Sequence, residues 1–172
     1  MVVTGSESTG KTTLATALAR RFATTWSREY AREHLDAKGA PLDATDVEPI
    51  ARGQTAAEDE AVRSASRVAV HDTDLISTVV YATHYYGRCP EWIERAAAER
   101  RSDLYLLCDI DVPWVADPQR DRADRRSEMH ALFERALARF GCRVEVVRGD
   151  WAERERRAME LVESVVVRRG GA

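Results

Sequence analysis

Hydrophobic positions follow two patterns along this chain: short unbroken apolar runs, and stripes that repeat every three or four residues. The unbroken runs are typical of strands buried on both faces of a parallel sheet. The stripes indicate helices that pack one face against a core. The predicted strands are 1–4, 24–27, 67–71, 104–108 and 143–147. The predicted helices are 11–23, 29–37, 45–65, one around 76–81, 90–100, 129–140 and one around 158–166.

Turn-forming and polar residues support these boundaries. The stretch 39–41, Gly-Ala-Pro, breaks the second predicted helix, and Gly141 ends the sixth. Thr45 or Asp46 is expected to cap the long third helix. Strands that alternate with helices in this way predict an α/β fold, in which a parallel sheet carries helices on both faces.

Polar clusters fall at the carboxyl ends of the predicted strands. They are the loop after Thr4, the pair Arg28-Glu29, and the segments 72–74 and 109–111. Ligands of open parallel sheets bind outside this edge, because the loops that follow the strands meet there. The pattern therefore predicts one site that is assembled from several loops.

Composition narrows the class of protein without naming it. The 172 residues are 44% hydrophobic and 32% charged, with a net charge of −3 from 26 basic and 29 acidic side chains. These values predict one globular domain over 1–172 and argue against a nucleic-acid or membrane partner. Three cysteines without CxxC spacing, no signal peptide and no span of about 20 apolar residues predict a cytoplasmic protein with reduced thiols.

The first loop, Gly-Ser-Glu-Ser-Thr-Gly-Lys-Thr at 5–12, fits the pattern G-x-x-x-x-G-K-[ST] at every fixed position. Glycines let the backbone curl so that its N–H groups converge on a phosphate, and the following helix adds its positive end. Lys11 is expected to reach the outer phosphates of ATP and to act in catalysis, and Thr12 is expected to ligate Mg²⁺. The predicted nucleotide-binding residues here are Gly5, Ser6, Glu7, Ser8, Thr9, Gly10, Lys11, Thr12 and Thr13.

Three carboxylates at strand ends are candidates for the remaining chemistry. Asp72 directly follows a predicted strand, where P-loop proteins place the acid that holds Mg²⁺. Asp74 could instead accept a proton from a substrate hydroxyl, or cap the following helix. Glu29 is a rival base or a ligand of a substrate hydroxyl, with a solvated charge on a helix as the alternative. The sequence does not decide which of the three is the base.

The segment 114–127 is dense in arginine and lies before the sixth predicted helix. It is expected to form a lid that brings arginines to the transferring phosphoryl group and excludes water, which would otherwise hydrolyse ATP. A solvated loop with internal ion pairs is the alternative. Arg120 and Arg126 are the candidate catalytic arginines. Trp114 opens the lid and is expected to contact substrate, whereas Trp26, Trp92 and Trp151 are more often core residues in such positions.

Several stretches in order resemble a known family. They are 5–12, EYARE at 29–33, DTD at 72–74, PWVAD at 113–117 with Arg120, and GDW at 149–151 with Arg154. Together they resemble the ribosylnicotinamide kinase domain of NadR-type NAD-biosynthesis proteins, over nearly the whole chain. The P-loop alone is unspecific, since any P-loop NTPase carries it, but the other segments make the match more specific.

The resemblance implies a nucleoside-kinase-like fold with a five-stranded parallel sheet. It implies transfer of the γ-phosphate of ATP to the 5′-hydroxyl of nicotinamide riboside, giving nicotinamide mononucleotide, with ATP and Mg²⁺ as cofactors. By position, Glu29, Tyr30, Arg32 and Asp74 would contact the riboside. Asp72 would serve the metal or the attacking hydroxyl. Asp150 and Trp151 would border the adenine.

This sequence departs from the family pattern at Arg28, where members can carry an aromatic residue. A cationic nicotinamide ring would be repelled there unless Arg28 points away or pairs with an acid. Larger members of the family also carry an adenylyltransferase domain and sometimes a DNA-binding domain. Neither is expected in 172 residues, so only the kinase activity carries over.

Other functions remain open at this point. The same fold could phosphorylate another nucleoside or small metabolite. A P-loop switch or regulatory ATPase is the alternative of a different class. A GTPase is disfavoured because the chain has no NKxD segment, and an AAA+ motor because the chain is short and lacks an Asp-Glu pair after a strand. The expected partner is a small-molecule nucleoside, and homo-oligomer formation is left open.

Overall fold

A computed structural model describes residues 1–113 and 125–170 of the chain, with side chains up to residue 167. Five strands lie in one sheet, and every pairing is parallel. The strands are β1 Val2–Thr4, β2 Trp26–Ser27, β3 Val70–Asp72, β4 Tyr105–Cys108 and β5 Val144–Val147. The five-stranded parallel sheet and the α/β class are therefore confirmed.

The strand order β2-β3-β1-β4-β5 places β1 at the centre of the sheet. Val3 pairs with Asp72 on one side of β1, and Thr4 pairs with Leu107 on the other. After β1 the chain forms β2 and β3 on one side of it, and then β4 and β5 on the other side. A crevice opens at such a reversal, and here it opens above the loop that follows Thr4.

Helices cover both faces of the sheet. One apolar cluster contains Val2, Leu107 and residues of the fourth, fifth and sixth helices, such as Phe133. The other contains Val3 and residues of the first and last helices, such as Leu18. The helices are α1 Lys11–Arg21, α2 Tyr30–Lys38, α3 Val47–Ser64, α4 Leu75–Tyr86, α5 Glu91–Glu99, α6 Arg126–Arg139 and α7 Trp151–Gly170.

Some boundaries differ from those predicted. β3 begins at Val70 rather than at 67, and it includes Asp72, which was expected just after the strand. Asp46 occupies the N-cap position of α3, as predicted, but its side chain makes no capping hydrogen bond to that helix. Asp43 accepts a hydrogen bond from the Thr45 N–H, and Asp46 accepts one from the Asp43 N–H, so a short 3₁₀ turn over Ala44–Asp46 precedes α3.

The lid falls mostly outside the described residues, which exclude 114–124. Arg126 is the first residue of α6, so the end of the predicted segment is helical. Among the described residues, no helix combines the length and apolar character needed to cross a bilayer.

Candidate active site

The first loop curls into the shape that its glycines predict. Gly5 and Gly10 have φ values of 134° and 81°, which side chains rarely tolerate. A Cβ at Gly5 would lie 2.9 Å from the Cys108 carbonyl oxygen. The Thr9 hydroxyl donates to the Ser6 carbonyl at 2.8 Å, and the Lys11 ammonium donates to the same oxygen at 3.0 Å. The loop is thus held closed from within, with Lys11 beside it.

Helix α1 begins directly after this loop, at Lys11. Its first N–H groups have no partner within the helix, so they and the helix dipole favour an anion there. The Ser6 hydroxyl is buried and has no hydrogen-bond partner among the described residues. A buried polar atom without a partner is costly unless a ligand completes it. The loop therefore has the features of a phosphate site, and Thr12 and Thr13 lie in the first turn of its helix.

Asp72 lies against the P-loop helix. Its Oδ2 atom accepts a hydrogen bond of 2.5 Å from the Thr12 hydroxyl. Its Oδ1 atom is buried and has no hydrogen-bond partner in the described part of the chain. Burial, aided by the nearby charge of Glu29, raises the pKa of Asp72 to about 6. A cation beside Thr12 and Asp72 would give the Oδ1 atom a partner and would stabilise the buried carboxylate charge. Hydroxyl and carboxylate oxygens are ligands that Mg²⁺ prefers, so this pair fits a Mg²⁺ site.

Asp74 is occupied by structural bonds. Its Oδ1 atom accepts from the N–H groups of Ile76 and Ser77, which makes Asp74 the N-cap of α4. Its Oδ2 atom accepts a hydrogen bond of 2.8 Å from the Tyr105 hydroxyl. Burial raises its pKa to about 6, although these bonds oppose the shift. Both oxygens are engaged, so the capping alternative for Asp74 has direct support, and contact of Asp74 with substrate stays a prediction.

Glu29 follows β2 and occupies the N-cap position of α2 without capping that helix. Its carboxylate instead accepts a hydrogen bond of 2.8 Å from the Arg32 Nε atom. The Tyr30 ring lies on α3 at Gly53, where an added Cβ would be 2.0 Å from the ring. Arg28 is exposed, with its guanidinium 5.7 Å from the centre of the Trp26 ring.

A cavity of about 820 Å³ opens beside the P-loop. Its wall includes acidic, basic, amide and aromatic side chains, among them Glu7, Lys11, Glu29, Arg32, Gln54 and Tyr81. Glu29 and Arg32, two of the residues predicted to bind substrate, line this cavity, and their contact with substrate stays a prediction. Tyr30, Asp72 and Asp74 are not among the lining residues, and Arg28 is not either, so its charge does not form part of this wall.

Two arginines donate hydrogen bonds to carbonyl oxygens of the P-loop. The Arg126 guanidinium donates to the Ser8 carbonyl at 3.0 Å and to the Val112 carbonyl. Arg154 is only 1% exposed. It donates to the carbonyl oxygens of Thr9 and Gly149.

Arg154 joins the ends of three strands. Its Nη2 atom donates to the Asp109 carbonyl at 3.0 Å and pairs with the Asp111 carboxylate. Although burial opposes it, the hydrogen bond from Gly149 and the contact with Arg154 lower the pKa of Asp111. The P-loop, the end of β4 and the loop after β5 are therefore tied to one buried cation.

The loop after β5 reaches the P-loop through Trp151. A Cβ at Gly10 would lie 2.2 Å from the Trp151 ring, so only glycine permits this contact. Trp151 remains 51% exposed, and it lies beside the loop rather than in the core. Asp150 accepts from the Glu153 N–H and caps α7. The adenine contact predicted for Asp150 and Trp151 stays a prediction.

The structure also identifies residues that the sequence did not single out for a role. Gln54 and Tyr81 line the cavity, and Arg154 organises the P-loop. Tyr81 carried only the signal of a helical stripe. Arg154 lies before the last predicted helix, in a stretch rich in charged residues, and its place in the family segment was the one available hint. Two predicted residues, Trp114 and Arg120, lie outside the described residues.

Comparisons with known proteins agree with this geometry. The chain is 33% identical, over 99% of its length, to the trifunctional NAD biosynthesis/regulator protein NadR of Salmonella typhimurium. It is 34% identical, over 96% of its length, to the protein of that name from Escherichia coli. The chain spans 43% and 42% of the lengths of these relatives.

Solved structures give the same result. A NadR protein in complex with NR superposes with a TM-score of 0.80 at 31% identity, covering 95% of this chain and 48% of that one. A NadR protein in complex with NAD and AMP-PNP gives a TM-score of 0.78 at the same identity and the same coverage of both chains. A thymidylate kinase from Ehrlichia chaffeensis gives 0.63 at 14% identity, with 87% of each chain covered, and shows the fold alone.

A family model described as an AAA domain matches residues 1–154. The resemblance to NadR-type proteins, predicted from the ordered motifs, is confirmed by the similarity over nearly the whole chain. Because the family model covers most of the sequence, the chain belongs to the AAA_28 family of P-loop domains.

Proposed function

We propose that this chain is a single kinase domain that transfers the γ-phosphate of ATP to the 5′-hydroxyl of nicotinamide riboside, forming nicotinamide mononucleotide in NAD biosynthesis. One observation carries the proposal: the cavity runs from Lys11 of the P-loop to Glu29 at the end of β2. An acceptor in this cavity would face the outer phosphate of a bound nucleotide. The similarity to NadR proteins in complex with NR and with AMP-PNP supports both ligands.

The cavity suits a cationic nucleoside. Its wall carries the carboxylates of Glu7, Glu29 and Asp36 and the rings of Tyr81 and Tyr85. These two rings are nearly parallel, with centroids 6.2 Å apart. Acidic and aromatic groups attract a positively charged planar ring. Arg28, which raised the question of repulsion, lies over Trp26 instead.

Thr12 and Asp72 would hold Mg²⁺. The short hydrogen bond between them and the unpartnered Oδ1 atom of Asp72 support this assignment. When bound, the ion neutralises charge on the phosphates of the nucleotide. Asp72 in this role leaves a different carboxylate to serve the acceptor.

Glu29 is the proposed base. It lines the cavity, whereas Asp72 and Asp74 are 1% and 7% exposed. The 5′-oxygen of the riboside forms a bond to the γ-phosphorus, and the bond from that phosphorus to the β,γ-bridging oxygen breaks. The hydroxyl proton passes to Glu29, and ADP leaves with the electron pair of the broken bond. Lys11 stabilises the charge that develops on the phosphoryl oxygens.

The predicted lid completes the proposal. Arg126 already contacts the P-loop at Ser8, so its guanidinium lies beside the phosphate site. We assign it and Arg120 to stabilisation of the transferring phosphoryl group, as the lid hypothesis predicts. A cytoplasmic location also belongs to the proposal, and the free cysteines Cys89, Cys108 and Cys142 agree with it.

The test measures ADP release with a panel of nucleosides. We expect little turnover of ATP alone and strong stimulation by nicotinamide riboside, with nicotinamide mononucleotide formed in equal amount to ADP. Glu29→Gln should lower kcat by roughly 10²–10⁴-fold, the usual contribution of a general base. Arg28→Ala is the matched control, because the neighbouring side chain lies outside the cavity wall.

Two results would contradict the proposal. Stimulation by another nucleoside but not by nicotinamide riboside would remove the acceptor while keeping the kinase. Turnover of ATP that no nucleoside changes would instead favour the regulatory ATPase.

A further inference from the structure

Gln54 of α3 is almost completely buried, at 2% exposure, although it is an uncharged polar residue in the cavity wall. Its side-chain carbonyl accepts a hydrogen bond of 3.0 Å from the Tyr30 N–H. Its amide nitrogen donates to the Thr73 carbonyl at 3.4 Å and to the Glu58 carboxylate at 3.3 Å. Both amide hydrogens are thus used within the protein. Gln54 therefore has no amide hydrogen left to offer a substrate, and these bonds fix its side chain to the backbone on either side of it.

Gln54 thus bridges the backbone at Tyr30 and the backbone at Thr73, and these two segments carry the carboxylates at the strand ends. Tyr30 follows Glu29, and Thr73 lies between Asp72 and Asp74. The pairing of β2 with β3 covers only Trp26–Val70 and Ser27–His71, so it stops short of Glu29. Beyond that point the Gln54 amide links the segment after β2 to the segment after β3.

Thr73 needs such support. Its φ is 69°, a left-handed conformation that is unfavourable for a β-branched residue. Its N–H donates to the Val3 carbonyl at 2.9 Å, and its own carbonyl accepts from Gln54. Strained backbone persists only where its surroundings hold it.

The bond to the Tyr30 N–H has a further consequence for Glu29. Tyr30 is the first residue of α2, and its N–H is one of the donors that a helix leaves unpaired at its start. The side chain of an N-cap residue normally accepts from the N–H of the second or third helical residue, so the first N–H, that of Tyr30, needs a partner from elsewhere. Glu29 makes no such bond, and its carboxylate pairs with Arg32 at the cavity wall. Gln54 satisfies the Tyr30 N–H from outside the helix, directly beside the residue whose carboxylate lines the cavity.

We propose that Gln54 is a positioning residue for the phosphoryl-transfer reaction: its amide accepts from the first N–H of α2 and ties the Glu29 segment to the Asp72 segment, which keeps the Glu29 carboxylate directed at the acceptor. This inference rests on the proposed function for the role of Glu29. It places Gln54 outside the set of groups that touch the reacting atoms.

The test combines Gln54→Met, Glu29→Gln and the double variant. Methionine matches the length of glutamine but offers no amide. We expect kcat/KM for the acceptor to fall at least about tenfold in Gln54→Met, because displacement of a reacting group by about 1 Å can cost up to about 100-fold. The KM for ATP should change less than about twofold. In the Glu29→Gln background, Gln54→Met should add less than about threefold, because the residues act as one unit.

Thr55→Val is the control, since Thr55 is the next residue of α3 and its hydroxyl bonds only within the helix, to the Ala51 carbonyl. Thermal unfolding of every variant identifies loss of fold, and Gln54→Leu, of similar volume, serves as the second variant. Acceptor kinetics within twofold of the wild type would overturn the inference. So would losses that multiply independently with Glu29→Gln, or equal losses towards ATP and acceptor.

The wild type is measured first, and this separates the two proposals. No response to nicotinamide riboside refutes the proposed acceptor, and the variants are then compared with whichever nucleoside responds. Loss of acceptor efficiency in Gln54→Met with that nucleoside still supports the bridge, and unchanged efficiency still overturns it.

Discussion

Replacement of Arg154 by Met should damage both stability and nucleotide binding. The change removes the cation but keeps an apolar stem of similar length. It leaves the carbonyl oxygens of Thr9, Gly149 and Asp109 without the guanidinium donor, and it leaves Asp111 without its cationic partner, although the Gly149 N–H remains bound to Asp111. All of these groups lie in the loops that follow β1, β4 and β5, at the carboxyl edge of the sheet.

The expected cost follows from the burial of the two partners. Breaking a buried ion pair by removing one partner costs about 3–5 kcal/mol. Arg154 is 1% exposed, but the Asp111 side chain is 37% exposed and can regain water, so the lower half of that range is expected. Total stability of a domain is about 5–15 kcal/mol, so the loss is a large fraction of it. For a chain of this length, about 3–4 kcal/mol corresponds to a decrease in Tm of roughly 6–16 °C.

Thermal unfolding and the KM for ATP provide the assay. We expect the melting temperature to fall by that amount, and the KM for ATP to rise because Thr9 and the Trp151 loop lose their common anchor. Arg157→Met is the control on the same helix, because its side chain is 50% exposed and its contacts with Glu145 and Glu160 are 3.6 and 3.8 Å long. It should change stability by less than about 1 kcal/mol. An Arg154→Met protein that melts within 2 °C of the wild type with an unaltered KM for ATP would refute this reasoning.

Three further outcomes are expected. Lys11→Ala should lower kcat by roughly 10²–10³-fold, because it removes the ammonium group that stabilises charge on the phosphoryl oxygens. ATP binding and turnover equal to those of the wild type would contradict the assignment of this loop as the phosphate site. Because the pKa of Asp72 is about 6, activity at limiting Mg²⁺ should fall below pH 6, where the carboxylate is no longer ionised. The negative charge of Glu29 contributes to this raised pKa, so Glu29→Gln should lower it. A pH–rate profile should then show the inflection at a lower pH, and an inflection that stays in place would contradict this reasoning. Burial, with the charge of Asp74, raises the pKa of Glu58 from 4.5 to about 7. The protonated Glu58 side chain therefore contributes its full stability below pH 4.5, and this contribution is lost as the pH rises through 7. Glu58→Gln should then raise the free energy of unfolding by about 3 kcal/mol at pH 8, and the melting temperature with it, but should change neither at pH 4; equal effects at both pH values would contradict the shift.

The sequence alone predicted the phosphate loop, the five strands and the helices between them. These features depend on local rules: glycines at 5 and 10 permit positive φ, and apolar spacing distinguishes a buried strand from an amphipathic helix. The ordered motifs also predicted the family, which the comparisons confirmed. The N-cap position of α3 at Asp46 was also predictable, but the 3₁₀ turn before the helix engages the Asp46 side chain with the Asp43 N–H, so it does not cap α3.

Only the tertiary structure distinguished Asp72 from Asp74, which are two residues apart and alike in type. Asp74 is occupied by the N–H groups of α4 and by Tyr105, which lies 31 residues away, whereas Asp72 keeps one oxygen without a partner among the described residues. Arg154 likewise reaches Thr9 across 145 residues, so its charge pattern could not reveal its burial. The physical reason is the same in each case: backbone conformation is set by neighbours in the chain, but the hydrogen-bond partner of a side chain is set by whichever strand end the sheet brings beside it.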